Sequence, residues 1–70
     1  MINTHIGSRI KQARQRRGLS RKDLAALVGV TYSAITNYEN GISFPQPQVL
    51  CALFRALQVD ANFLFQDYLP

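Results

Sequence analysis

The sequence predicts an all-α fold, a single compact domain built from five short helices. Apolar residues recur every three or four positions along nearly the whole chain, which is the spacing of one helix face. Good helix-capping residues precede several of these apolar runs, and glycine or proline separates them. The length of 70 residues allows one domain, which we expect to span residues 1–70 with a core over about 6–66.

The first helix is predicted over residues 6–16 and ends before Gly18, because glycine commonly terminates helices at this position. Arg14 lies at the edge of its buried face rather than on the outer side. The inward face consists of three residues at helical spacing: Ile6, Ile10 and Ala13.

The second helix is predicted to begin after Ser20, a good N-cap, with Asp23 as the acidic partner of a capping box. Ala25 is small enough to let another helix approach, and Gly29 breaks the apolar run. The expected buried stripe is formed by Leu24, Leu27 and Val28.

A third helix follows after a very short connection, with Thr31 as its expected N-cap and Asn40 at its end. Ile35 and Tyr38 face inward, whereas the opposite side is polar and nearly uncharged. Two short helices joined around a glycine at a steep angle describe a helix-turn-helix, and such an outer face suits base edges in a major groove.

Two further helices complete the predicted fold. Pro47 suits the first turn of the fourth helix, although Gln46 is a poor cap, and Cys51 is expected to be buried among apolar neighbours. Asp60 is expected to cap the last helix. The predicted core residues of these helices are Val49, Leu50, Leu53, Phe54, Leu57, Phe63 and Leu64.

Charge is distributed unevenly along the chain. Residues 1–22 hold seven of the eight basic residues and no acid, whereas residues 23–70 hold one arginine and four acids. The formal net charge is +4. This asymmetry indicates an anionic partner, either nucleic acid or a membrane surface, and its alternative is a solvated helix face that only aids solubility.

Composition argues against several functional classes. No apolar run approaches the ~20 residues of a membrane span, and no signal peptide is visible, so we expect a cytoplasmic protein without a membrane partner. The single cysteine cannot form an internal disulfide. His5, the only histidine, is expected to lie isolated at a frayed chain end outside the predicted fold, so we expect no metal site, no cofactor and no enzyme.

About 60 residues, from Gly7 to Gln66, resemble the helix-turn-helix domain of the phage repressor and Cro type, often called XRE-like. The resemblance implies a compact five-helix domain that binds double-stranded DNA, usually as a two-fold dimer, and regulates transcription, here expected as a repressor. It rests on Arg9-Ile10-x-x-x-Arg14, Gly18-Leu19-Ser20, Asp23-Leu24-Ala25, Val28-Gly29-Val30, Ile35-x-x-Tyr38-Glu39-Asn40-Gly41, Pro45 and Leu57-x-Val59.

The resemblance also implies roles for individual residues. Arg14 and Glu39 occupy positions that form a structural ion pair in many relatives. The positions implied to face bases are Thr31, Tyr32, Ser33, Thr36 and Asn37. The positions implied to hold phosphate are Arg21, Asn40 and Ser43, and the basic cluster adds Arg9, Arg16 and Arg17 as phosphate candidates.

Two departures from the family pattern affect the expected target. The third helix carries no lysine or arginine, so the commonest guanine contact is absent. The loop from Gly41 to Pro45 also lacks basic residues, so affinity must depend on the N-terminal cluster and on helix dipoles. We therefore expect the target to be read partly through DNA shape.

Surplus apolar residues near the C-terminus, Phe65, Tyr68 and Leu69, are expected to form a dimer contact. The dimer is expected to be weak or completed on DNA, and no small-molecule ligand is expected. The alternative function is a protein-interaction module, such as an antitoxin that neutralises a partner through its C-terminal surface.

Overall fold

The computed structural model describes residues 5–69 and contains five α-helices within that range, with no strand among the described residues. A short 3₁₀ turn, Gln66–Tyr68, follows the last helix and was not predicted. The helices are α1 (His5–Arg16), α2 (Arg21–Val28), α3 (Tyr32–Glu39), α4 (Pro47–Leu57) and α5 (Ala61–Leu64). The all-α, five-helix prediction is confirmed.

Side-chain caps fix the starts of three helices as predicted. The Ser20 hydroxyl accepts the backbone N–H of Asp23 at 3.0 Å, and the Asp23 carboxylate accepts the Ser20 N–H at 3.1 Å. Thr31 caps α3 and Asp60 caps α5 by each accepting one backbone N–H, without the reciprocal bond, whereas Gln46 makes no side-chain cap. These bonds satisfy helix-end donors that would otherwise have no partner within the helix.

The core lies where α1, α3 and α4 meet α2 and α5. α1 contacts α3, α4 and α5, and α2 contacts α3 and α4. The buried apolar residues are Ile10, Ala13, Leu24, Ala25, Ile35, Leu53, Leu57 and Leu64. All come from helix positions at the spacing expected of inward faces.

Two residues predicted to be buried are exposed. Leu27 is 60% exposed, because the buried arc of α2 centres on Leu24, Ala25 and Val28 and leaves Leu27 to one side. Cys51 is also exposed, since it lies two residues before the buried Leu53 and thus about 160° around α4 from it. Both predictions were wrong.

α1 approaches the end of α3 at a glycine. A Cβ built on Gly7 would collide with the carbonyl oxygen of Glu39 and would lie 2.5 Å from that of Tyr38. Real Cβ atoms are not found this close to backbone atoms, so only glycine permits this packing. The crossing sets the position of α3 against the rest of the domain.

Candidate nucleic-acid interface

The side of α3 that faces away from Ile35 is open to solvent and polar. Thr31, Tyr32 and Ser33 are exposed, with Tyr32 54% exposed, and Thr36 and Asn37 are half-buried. The Thr36 hydroxyl donates a hydrogen bond to the Tyr32 carbonyl oxygen, one turn back, at 3.2 Å. The five positions expected to face bases therefore lie together at one helix and its N-cap.

A buried carboxylate joins α1, α2 and α3 behind this face. The Glu39 side chain is 0% exposed and accepts hydrogen bonds from two guanidinium groups. Arg14 contributes Nε at 2.7 Å and a terminal nitrogen at 3.2 Å, and it also donates to the Leu19 carbonyl oxygen at 2.9 Å. Arg14 and Glu39, the expected ion pair, thus lie in direct contact.

Arg21 is the third member of this cluster, a partner that sequence reasoning missed. Its Nε donates to Glu39 at 3.0 Å, and about a third of its side chain is exposed. The hydrogen bond to Glu39, followed by one with the Tyr32 hydroxyl, raises the pKa of Arg21. Because the Arg14 and Arg21 guanidinium groups share the single Glu39 carboxylate, the cluster keeps a net positive charge, and Arg21 is its exposed residue.

Two of the predicted phosphate contacts lie on another side of α1. Gly7 and Arg14 face α3. Arg9 lies two residues from Gly7, and Arg16 lies two residues from Arg14, so each is about 160° around α1 from a position that faces α3. Both guanidinium groups lie over the Phe63 ring, 5.9 Å and 5.0 Å from its centre. The structure does not bring them together with α3.

The remaining phosphate candidates are exposed at helix ends. Arg17 follows the last residue of α1, Asn40 is the C-cap of α3, and Ser43 lies in the loop after it. Asn40 and Ser43 lie within four residues of the C-terminal end of α3. Together with Arg21 they flank the polar face, whereas Arg17 lies at the end of α1.

Arg9 binds the C-terminal 3₁₀ turn through Asp67. Its guanidinium donates to both carboxylate oxygens of Asp67, at 3.2 Å and 3.0 Å. His5 lies within α1, its Nδ1 is 3.8 Å from Asp67, and its ring meets Tyr68 edge-on at 5.9 Å. The expectation of an isolated terminal histidine was therefore wrong.

The Arg9–Asp67 contact predicts a specific pH dependence. The hydrogen bond from Arg9 lowers the pKa of Asp67, so the ionised pair stabilises the fold above the ordinary carboxyl pKa, and this contribution disappears as the pH falls through the lowered value. Urea unfolding of Asp67→Asn should therefore show reduced stability at neutral pH and little difference from the parent in strong acid. The same substitution in an Arg9→Gln background should have little effect at any pH, and an equal loss there would contradict the prediction.

The apolar C-terminal residues divide into two groups. Tyr68 and Leu69 are exposed, whereas Phe65 is half-buried against the core with its ring 6.4 Å from that of Phe44. Phe44 and Ile42, in the loop after α3, are also exposed apolar residues, which sequence analysis did not single out. An apolar surface thus extends from the α3–α4 loop to the C-terminal turn.

Residues 5–69 contain neither a membrane-spanning helix nor a metal-binding cluster. Within residues 5–69, no helix combines the length and the apolar character needed to cross a membrane. The same part of the chain contains no cluster of three or more histidine, cysteine or acidic side chains able to hold a metal ion.

Sequence comparison shows what the chain is similar to. A family model described as helix-turn-helix matches residues 10–64. An uncharacterised helix-turn-helix transcriptional regulator of Sinorhizobium fredii is 31% identical over 68 residues, which cover 97% of this chain and 48% of the relative. Multiprotein-bridging factor 1 of Candida albicans is 40% identical over 58 residues, or 83% of this chain and 38% of that protein. The chain spans about half the length, or less, of these relatives.

Comparison with solved structures gives the same family. The P22 c2 repressor, crystallised with a synthetic operator, superposes with a TM-score of 0.82 at 31% identity, covering 89% of this chain and 94% of the repressor chain. The restriction-modification controller protein C.AhdI of Aeromonas hydrophila also gives a TM-score of 0.82, at 29% identity and with the same coverage.

Proposed function

Because the chain belongs to the XRE-type helix-turn-helix family, we propose that it binds double-stranded DNA sequence-specifically and represses transcription by occupying its site. The observation that carries this proposal is the open polar face of α3, with Ser33 and Asn37 on the side away from Ile35 and Thr36 at its flank. An α-helix about 10–12 Å wide fits a major groove of about 12 Å. The operator bound by the P22 c2 repressor supports the same class of partner.

In this proposal α3 enters the major groove and reads base edges. Asn37 has the amide that bonds adenine through two hydrogen bonds, and Tyr32 offers a ring to pack on a thymine methyl group. Thr31 is the N-cap of α3 and Ser33 lies in its first turn, at the N-terminal end from which recognition helices commonly contact bases.

The phosphate contacts are assigned to the residues that flank this face. Arg21 carries the positive charge left over from the Glu39 cluster, and Asn40 and Ser43 lie beyond the other end of α3. The N-termini of α2 and α3 add backbone N–H donors and positive dipole ends. Among the proposed phosphate contacts, Arg9 and Arg16 have the least structural support, because they lie on the side of α1 that faces α5.

The exposed apolar surface supports a second part of the proposal, a weak or DNA-assisted homodimer. Tyr68 and Leu69 remain the proposed contact residues, with Phe65 at the inner edge of the surface. A dimer of this kind doubles the site read by α3 and predicts two half-sites about one helical turn apart. An antitoxin-like protein-binding role would use the same exposed residues.

Selection of bound duplexes from a random-sequence library tests the function directly. We expect a palindromic motif, and affinity for it should fall steeply as salt is raised from about 50 to 200 mM, because phosphate contacts release counterions. Asn37→Ala should relax selection at one base position, with a loss of about 1–3 kcal/mol on the selected duplex. A library that yields no motif, or a flat salt response, would refute the proposal. Pull-down of a protein partner in place of DNA would favour the alternative role.

A further inference from the structure

The polar face of α3 has no cationic side chain of its own. α3 itself, Tyr32–Glu39, contains no lysine or arginine. Arg14 of α1 and Arg21 of α2 are both bonded to the buried Glu39 carboxylate. Guanine is most often read by arginine or lysine through its N7 and O6 atoms, so this face lacks the usual reader of G·C pairs.

Thr36 supplies the second observation. Its hydroxyl donates to the Tyr32 carbonyl oxygen at 3.2 Å, so its one polar hydrogen is used inside the helix. A threonine that bonds back to the preceding turn holds its oxygen against the helix backbone and keeps a methyl group at the other branch of Cβ. Thr36 is half-buried and lies about 100° around α3 from the buried Ile35, so what it offers to a duplex is chiefly apolar.

We propose that Thr36 is a specificity-determining residue that contacts a thymine methyl group, and that the duplex selected by this chain carries A·T pairs at the positions facing α3. This inference rests on the proposed DNA-binding function. The C5-methyl of thymine is the one apolar group that a base presents in the major groove, and Thr36 contacts it through its own methyl group. Asn37 fits the same target, because its amide matches adenine.

Two substitutions separate the methyl group of Thr36 from its hydroxyl. Thr36→Ser keeps the hydroxyl and removes the methyl group, whereas Thr36→Val keeps a methyl group and removes the hydroxyl. On the duplex selected by the parent chain, Thr36→Ser should bind about fourfold more weakly, the effect of one lost apolar carbon. Thr36→Val should keep the sensitivity to thymine methyl groups that Thr36→Ser loses. Both variants are first checked for unchanged helix content and melting by circular dichroism.

The second half of the test removes the thymine methyl groups from the DNA. Replacing the half-site thymines by deoxyuridine removes only their methyl groups, and we expect the parent to lose about fourfold or more in affinity. Thr36→Ser should then bind the deoxyuridine duplex no more weakly than the parent does, because the contact has already been removed. Deoxyuridine placed outside the half-sites is the control and should have no effect.

Several results would overturn the inference while leaving DNA binding intact. They are a selected motif with G·C pairs at the α3 positions, a deoxyuridine duplex bound as tightly as the original, or a loss in Thr36→Val that Thr36→Ser does not share. A library that yields no motif at all refutes the proposed function, and the inference with it.

Discussion

Replacing Glu39 with alanine is expected to remove a large fraction of the folding stability of this domain. The substitution leaves Arg14, whose side chain is 9% exposed, and the partly exposed Arg21 without their shared counterion. Breaking a buried ion pair by removing one partner costs about 3–5 kcal/mol, because the remaining charge is buried and uncompensated. A chain of this length has a total stability of about 4–10 kcal/mol, so the loss is a large fraction of it.

Chemical denaturation of the variant measures this loss, and a matched double substitution identifies its cause. Replacing both Arg14 and Glu39 with methionine removes the buried charges together, and we expect this variant to recover a substantial part of the stability lost in Glu39→Ala. If Glu39→Ala unfolds within about 1 kcal/mol of the parent, the buried cluster does not hold the three helices together.

Gly7→Ala is expected to have the second largest effect. A methyl group at position 7 enters the space held by the Tyr38 and Glu39 carbonyl groups, which belong to helix backbone and cannot rotate away. α1 must then move off α3, and we expect a net loss of at least about 2 kcal/mol in spite of the better helix propensity of alanine.

Ser8→Ala provides the matched control for this prediction. Ser8 is the next residue of α1 and is exposed, so alanine there also gains helix propensity, by less than at a glycine, and meets no collision. Thermal unfolding should show Ser8→Ala at or slightly above the parent and Gly7→Ala well below it. Equal melting temperatures for the two variants would contradict the close approach of α1 and α3.

Much of the fold could be predicted because its signals are local. The caps at Ser20, Thr31 and Asp60 depend on side chains that bond within three residues, and these predictions are confirmed. Leu27 and Cys51 were misplaced because an apolar residue in a short helix fits either the buried arc or its flank. Which of the two occurs depends on the angle at which neighbouring helices cross, and periodicity does not contain that angle.

Less of the candidate site than of the fold could be predicted from the sequence. The base-facing residues follow from the position of the second helix of the turn motif, and they remain predictions about contact with DNA. The partners of Arg9 and Arg21 could not be derived, because Arg9 and Asp67 are 58 residues apart in the sequence and Arg21 and Glu39 are 18 apart. The seven basic residues of the N-terminal segment indicated an anionic partner, whereas the structure pairs Arg9 and Arg14 with carboxylates and places Arg16 over the Phe63 ring.

The origin of the Glu39 counterion limits how this domain can be re-engineered. Arg14 belongs to α1, outside the turn motif formed by α2 and α3, so a peptide containing residues 20–41 alone would lose that guanidinium group. A helix transplanted from another scaffold into the place of α3 must bring a carboxylate to position 39, or position 14 must be changed with it. Substitutions meant to alter the proposed DNA preference therefore belong at the outer residues of α3, with this pair left intact.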